Sequence, residues 1–169
     1  MEDKKTSLEN IKSELRGKLS EEERMLEMGN IVSGLLSVVT ARLIKDTGYS
    51  VTSTVLKREI RELAKTNAHR IKEIFGLQEN TPENASKVLK IAALLLGLQL
   101  DTSGSETIVR KCPLALMSEK FHEPFFCHIC TEYTQAIVRE MLGPHYAFEN
   151  TASIVKGDEY CAFQTKEKT

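Results

Sequence analysis

The chain has 169 residues and a mass of 19.0 kDa, with 41% hydrophobic and 28% charged residues. That size and composition suit one compact domain able to bury a core unaided, and they exclude disorder and collagen-like structure. A formal net charge of −1 and a pI near 6.4 argue against a nucleic-acid partner, because phosphate contacts need a clear excess of Lys and Arg.

The first residues, Met1-Glu-Asp-Lys-Lys-Thr-Ser, carry no apolar stretch after their charges, which predicts no secretory signal and a cytoplasmic protein. The first half reads as helical. Ser20 followed by Glu23 forms a capping box ahead of a long apolar run, Met25 to Ile44, and Gly48 closes that helix. Its least charged window, Met28 to Ala41, is shorter than the ~20 apolar residues of a membrane helix, so no membrane span is expected. Between Ile31 and Ile44 the apolar residues lie almost all round the cylinder, which predicts burial on several sides. Gly29, Ser33 and Ser37 form a small-residue stripe that admits a close neighbour, either a helix of the same chain or a second copy meeting the helix of residues 20–45 in a homodimer.

A second helix, about Val51 to Phe75, is expected to bury Val55, Ile60, Leu63, Ala64, Ile71 and Ile74 and to end at Gly76. Its other face, Arg58, Arg61, Lys65, His69 and Lys72, is diluted by Glu59, Glu62 and Glu73 and reads as a solvated surface. Thr81-Pro82-Glu83 starts a third helix running to Gly97. Two strands follow, Leu98 to Asp101 and Glu106 to Lys111, separated by Thr-Ser-Gly-Ser as a hairpin. A helix from about Phe126 to Leu142 ends at Gly143-Pro144, and strands Tyr146 to Val155 and Glu159 to Thr165 flank Lys156-Gly157-Asp158 as a second hairpin. The expected fold is α+β, with N-terminal helices followed by an antiparallel sheet of two hairpins and one helix between them. Residues 1–169 read as a single domain with a helical part, 1–80, and an α+β core, 81–165.

All four cysteines lie in the last third of the chain, as Cys112-x14-Cys127-x2-Cys130-x30-Cys161. The two-residue gap places Cys127 and Cys130 on one side of a first helical turn, where the positive helix end favours thiolate. If the sheet packs on that helix, Cys112 and Cys161 supply the other two corners of a tetrahedral zinc site, with an iron-sulfur cluster as the alternative use of the same ligands. A dithiol redox pair and four unconnected core thiols are the remaining readings. Cys161 and Phe163 share a strand face expected to look inward. His128 within the pair and His122 before it are alternative ligands, whereas Glu149 and Asp158 are acid-base candidates by position only.

The stretch Glu149 to Phe163 contains Gly157-Asp158-x-x-Cys161-x-Phe163 and resembles the end of the 4-vinyl-reductase, or predicted hydrocarbon-binding, domain family; it is also similar to the L-2-amino-thiazoline-4-carboxylic acid hydrolase-like proteins. The resemblance covers about residues 80 to 165. It implies a small-molecule-binding or sensor domain, and in the family's zinc-containing sensor members a metal held by a cysteine before or in the helix, a Glu, a Cys eight residues before the last, and the last Cys. Cys161 matches the last ligand. Ser153 and Asn150 stand where the penultimate Cys and the Glu would be, with Glu149 adjacent, so Cys127 and Cys130 would have to take their place.

Three functions follow as expectations. The first is a metal-stabilised sensor or binding domain holding a small apolar ligand, in a pocket lined by Phe121, Phe125, Phe126, Tyr133 and Phe148. The second is a hydrolase, an activity that the thiazoline resemblance implies without assigning a catalytic residue; on residue type alone Cys127 or Cys130 would be its nucleophile and His122 or His128 its base. The third is an iron-sulfur redox or sensor protein.

Overall fold

The computed structural model describes residues 2–103, 106–115 and 125–168, without the side chains of 2–8 and 102–103. Helix α1 (Glu2–Lys18) leads into α2 (Glu21–Thr47), whose start is set by the expected capping box: Ser20 Oγ accepts the Glu23 N–H at 3.2 Å, and the Glu23 carboxylate accepts the Ser20 N–H at 2.7 Å. After Gly48 the chain turns into α3 (Tyr49–Phe75), which ends at Gly76 in the left-handed conformation with φ 63°. Helix α4 (Pro82–Leu95) is capped by Thr81, whose hydroxyl accepts the Asn84 N–H at 3.2 Å.

Strands β1 (Gln99–Ser103) and β2 (Glu106–Lys111) pair antiparallel; helix α5 (Phe125–Leu142) follows, then β3 (Tyr146–Ala152), a 3-10 turn (Ile154–Lys156) and β4 (Cys161–Glu167). The sheet order is β1-β2-β4-β3, antiparallel throughout. The fold is thus α+β, with helices before a sheet of two hairpins. The hairpins join along β2 and β4, where Val109 faces Cys161 and Thr107 faces Phe163. The third strand ends sooner than its β-type residues suggest. The Asp158 carboxylate accepts the Ser153 N–H at 2.6 Å, and Gly157 at φ 99° closes a turn that coils Ile154–Lys156 out of the ladder.

The main core lies between α3, α4 and α5. Ala64, Ala68 and Ile71 of α3 meet Val88 and Ala92 of α4 and Ala136, Ile137 and Met141 of α5. Alanines at the contact let the axes approach, leaving Ile137 wholly enclosed. Three residues expected inside, Val55, Leu63 and Ile74, are exposed, because the face of α3 turned to the core is the one that carries Ala64, Ala68 and Ile71. The basic stripe of α3 is neutralised as expected of a solvated face: Arg61 pairs with Glu132 at 2.8 Å, Lys65 with Glu62 at 2.8 Å and His69 with Glu140 at 3.0 Å.

Helix α2 overturns the expectation of burial on several sides. Gly29, Ser33, Ser37 and Thr40 are buried, whereas Met28, Ile31, Val32, Leu35, Val38 and Val39 are each more than half exposed. The small-residue stripe is used within the chain. A Cβ on Gly29 would come within 2.5 Å of the Leu96 carbonyl oxygen and 3.0 Å of Pro113, so only glycine lets α2 lie against the turn after α4. By length and composition α2 is also sufficient to cross a membrane, a correction to the shorter window read from the sequence.

Candidate functional site

Helices α4 and α5 stand over one face of the sheet and leave a cavity of about 220 Å³ between them. Leu89 and Ala93 of α4, Leu98 beside β1, Leu100 and Val109 of the sheet, and Phe148 and Phe163 of β3 and β4 form its apolar wall. Thr107, Cys130, Thr134 and Gln164 supply polar groups. Phe148 and Phe163 stack with ring centroids 4.9 Å apart, and Gln135 of α5 holds β3 beneath them by accepting the Phe148 N–H at 3.0 Å. The cavity is smaller than the usual range for drug-sized ligands and suits a molecule of about one ring.

A second, tighter space of about 20 Å³ adjoins it, lined by Cys112, Cys127, Cys130 and Cys161 together with Asn150 and Ser153. Leu98, Val109, Cys130 and Phe163 line both spaces and so form a shared wall. The fold therefore brings all four predicted cysteines together, along with the two positions that the family resemblance assigns to other ligands.

Different local devices aim these sulfurs. Cys112 follows β2 and opens the helical turn at 113–115, where the Leu114 and Ala115 amides donate to its sulfur. Cys127 and Cys130 sit near the start of α5. Cys161 begins β4 and accepts the Ile154 N–H at 3.4 Å, an amide presented by the turn that Asp158 ties. The Gly-Asp-x-x-Cys spacing has a physical meaning here: glycine permits the bend, aspartate fastens it, and the fastened turn supplies a donor to the cysteine.

Burial governs the protonation of these groups. It pushes the Cys112 thiol up to about 11, against the two amide donors that lower it, and raises Cys130 further, reinforced by the neighbouring Cys112, Cys127 and Cys161. Burial also raises Cys161, partly offset by the Ile154 amide and the Ser153 hydroxyl. Cys112, Cys130 and Cys161 are therefore thiols at neutral pH, without the thiolate character that a nucleophile needs. Four soft sulfur donors around one space form a ligand set suited to zinc or an iron-sulfur cluster. Among the described residues, however, no group of three or more His, Cys, Asp or Glu is drawn together into a coordination sphere.

The other predicted residues are dispersed. His128 is exposed on α5, and His122 and Phe121 lie outside the described residues. Asp158 is occupied by the turn, and exposed Glu149 pairs with Lys166 at 2.8 Å. Of the aromatic residues expected around a ligand, Phe148 lines the cavity. Phe125 and Phe126 instead pack with Ile129 in a separate cluster, and Tyr133 packs against the main core and accepts the Asn67 side-chain N–H at 3.0 Å. The sequence reading missed the aliphatic wall from α4, β1 and β2. Its trace was the alternation of Leu98 with Leu100 and the four-residue spacing of Leu89 and Ala93.

No known family profile and no curated protein matches the chain. Among solved structures it is similar in fold to the phenol-responsive sensory domain of the transcription activator PoxR, determined with phenol: the TM-score is 0.55 at 11% identity, covering 80% of this chain and 74% of that one. The likeness is one of fold, and the expected membership of the 4-vinyl-reductase family has no matching family model behind it.

Proposed function

We propose that this chain is a sensor domain for a small, largely apolar molecule held between α4, α5 and the sheet. The observation that carries this reading is the apolar cavity of about 220 Å³, in a fold similar to that of a domain that responds to phenol. A ligand of one ring would bury its apolar body against Leu89, Val109 and Phe163 and turn a polar group toward Thr107, Thr134 or Gln164. The shared wall would then let occupancy of the cavity press on the cysteine cluster through Cys130. Thermal-shift and calorimetric titration with a panel of phenols and other single-ring compounds tests this. Saturable one-site binding is expected, and it should disappear in a folded Ala93→Phe variant whose ring fills the cavity. Failure of every panel member, or unchanged binding by that variant, would overturn the reading.

The convergence of four sulfurs supports a second element of the proposal: Cys112, Cys127, Cys130 and Cys161 hold a zinc ion that staples β2, α5 and β4. Amide donors to Cys112 and Cys161 are the kind of surrounding hydrogen bond that steadies a metal-bound thiolate. When bound, the metal would contribute folding energy rather than chemistry. Anaerobic purification followed by elemental analysis should find about one zinc per chain, lost in Cys112→Ser and Cys161→Ser. A brown preparation with visible absorption would assign the cysteines to an iron-sulfur cluster instead, and a colourless, metal-free protein would remove both.

A further inference from the structure

The outward face of α2 is ordered in a way that identifies what covers it. Met28, Ile31, Leu35 and Val38 follow one another at spacings of three, four and three residues, the period of a coiled-coil seam, and they are 56%, 65%, 65% and 66% exposed. The seam points away from the chain's own core, since Gly29, Ser33, Ser37 and Thr40 occupy the opposite side. Charge is distributed unequally along it. The N-terminal end carries Glu21, Glu22, Glu23 and Glu27 against Arg24, whereas the C-terminal end carries Arg42 and Lys45 against Asp46.

From this we infer that α2 is a self-association helix that packs antiparallel against α2 of a second copy, about a two-fold axis near Leu35. This arrangement sets Leu35 against its counterpart, Ile31 near Val38 and Glu27 near Arg42, and the symmetry makes each of the unlike pairs twice. A parallel pairing would place acidic end on acidic end. A lipid surface would leave the glutamates beside the apolar stripe without a partner. Arg42 is available for the exchange: its side chain is 70% exposed and, among the described residues, pairs at 2.7 Å with Asp46 one turn along its own helix.

Light scattering and sedimentation of the full chain test the inference. A dimer is expected that becomes monomeric in Leu35→Glu with an unchanged far-UV circular dichroism spectrum, because that residue is 65% exposed. Arg42→Glu should weaken the dimer by about tenfold, the worth of two symmetric exposed ion pairs, and adding Glu27→Arg should restore it by reversing both partners. Failure of the double variant to recover would overturn the antiparallel register. A wild-type chain that stays monomeric at ~100 μM, far above the Kd of a stable interface, would overturn the self-association itself. So would a wild-type monomer that sediments with zwitterionic or anionic vesicles, which would assign the face to lipid.

Discussion

Helices α2 and α5 are both rich in large apolar residues, yet they use them in opposite ways. Helix α5 buries Phe125, Phe126, Ile129, Ile137, Val138 and Met141, whereas α2 buries Gly29, Ser33, Ser37 and Thr40, packs Leu36 on the phenylalanine cluster, and turns Ile31, Val32, Leu35, Val38 and Val39 outward. The reason is geometric. Helix α5 lies between α3, α4 and the sheet, where alanines of α3 and α4 make room for its large side chains, but α2 meets the Leu96–Gly97 turn so closely that any side chain at position 29 would strike the backbone. An apolar stripe thus reports that a face must be covered, and the packing distance decides whether the same chain covers it.

Truncation inside the α5 core should give the largest effect. Ile137→Ala is expected to cost about 2–5 kcal/mol, because the cavity lies among packed alanines that cannot move in to fill it; urea unfolding measures this. Next is the contact that keeps α2 close. Gly29→Ala should cost about 1–3 kcal/mol by overpacking against the Leu96 carbonyl, although alanine is the better helix former, whereas Gly34→Ala, with open space around its Cβ, should be neutral or stabilising. Equal effects at the two glycines would break the comparison.

A smaller effect is expected where α3 is tied to α5 at the surface. Hydrogen bonding to Arg61 lowers the Glu132 carboxyl below its ordinary range, so this pair's contribution is present above the unfolded carboxylate range and is lost as pH falls through the lowered folded value. Arg61→Ala should cost less than about 1 kcal/mol at neutral pH and flatten the acid limb of the stability profile. The smallest effect on the folded chain belongs to Leu35→Ala, expected within about 0.5 kcal/mol when the monomer is measured at high dilution. At higher concentration the same substitution should lower Tm by weakening association, which distinguishes a face covered by a second copy from one covered by its own chain.

Much of the architecture was legible because it depends on local signals. The capping box at Ser20, the Thr81-Pro82 start, Gly76 and the Gly143-Pro144 stop act over one turn, and each element they bound appears with ends shifted by only a few residues. The cysteine cluster was legible for a different reason: clustering of one residue type near element ends survives any reasonable packing of those elements. The cavity wall was not legible. Leu89, Val109 and Thr134 come from three elements distant in sequence, and aliphatic residues in such positions look the same whether they line a cavity or fill a core.

Residue order alone determined the helix caps and stops, the α+β class, and the placing of the sulfur donors near element ends, since backbone propensity and capping chemistry act between close neighbours. Tertiary structure decided which face of α2 turns inward, how β2 and β4 join the two hairpins, and where space remains between α4, α5 and the sheet. Those outcomes depend on distances between elements, set by the volumes of side chains from remote parts of the chain meeting at once.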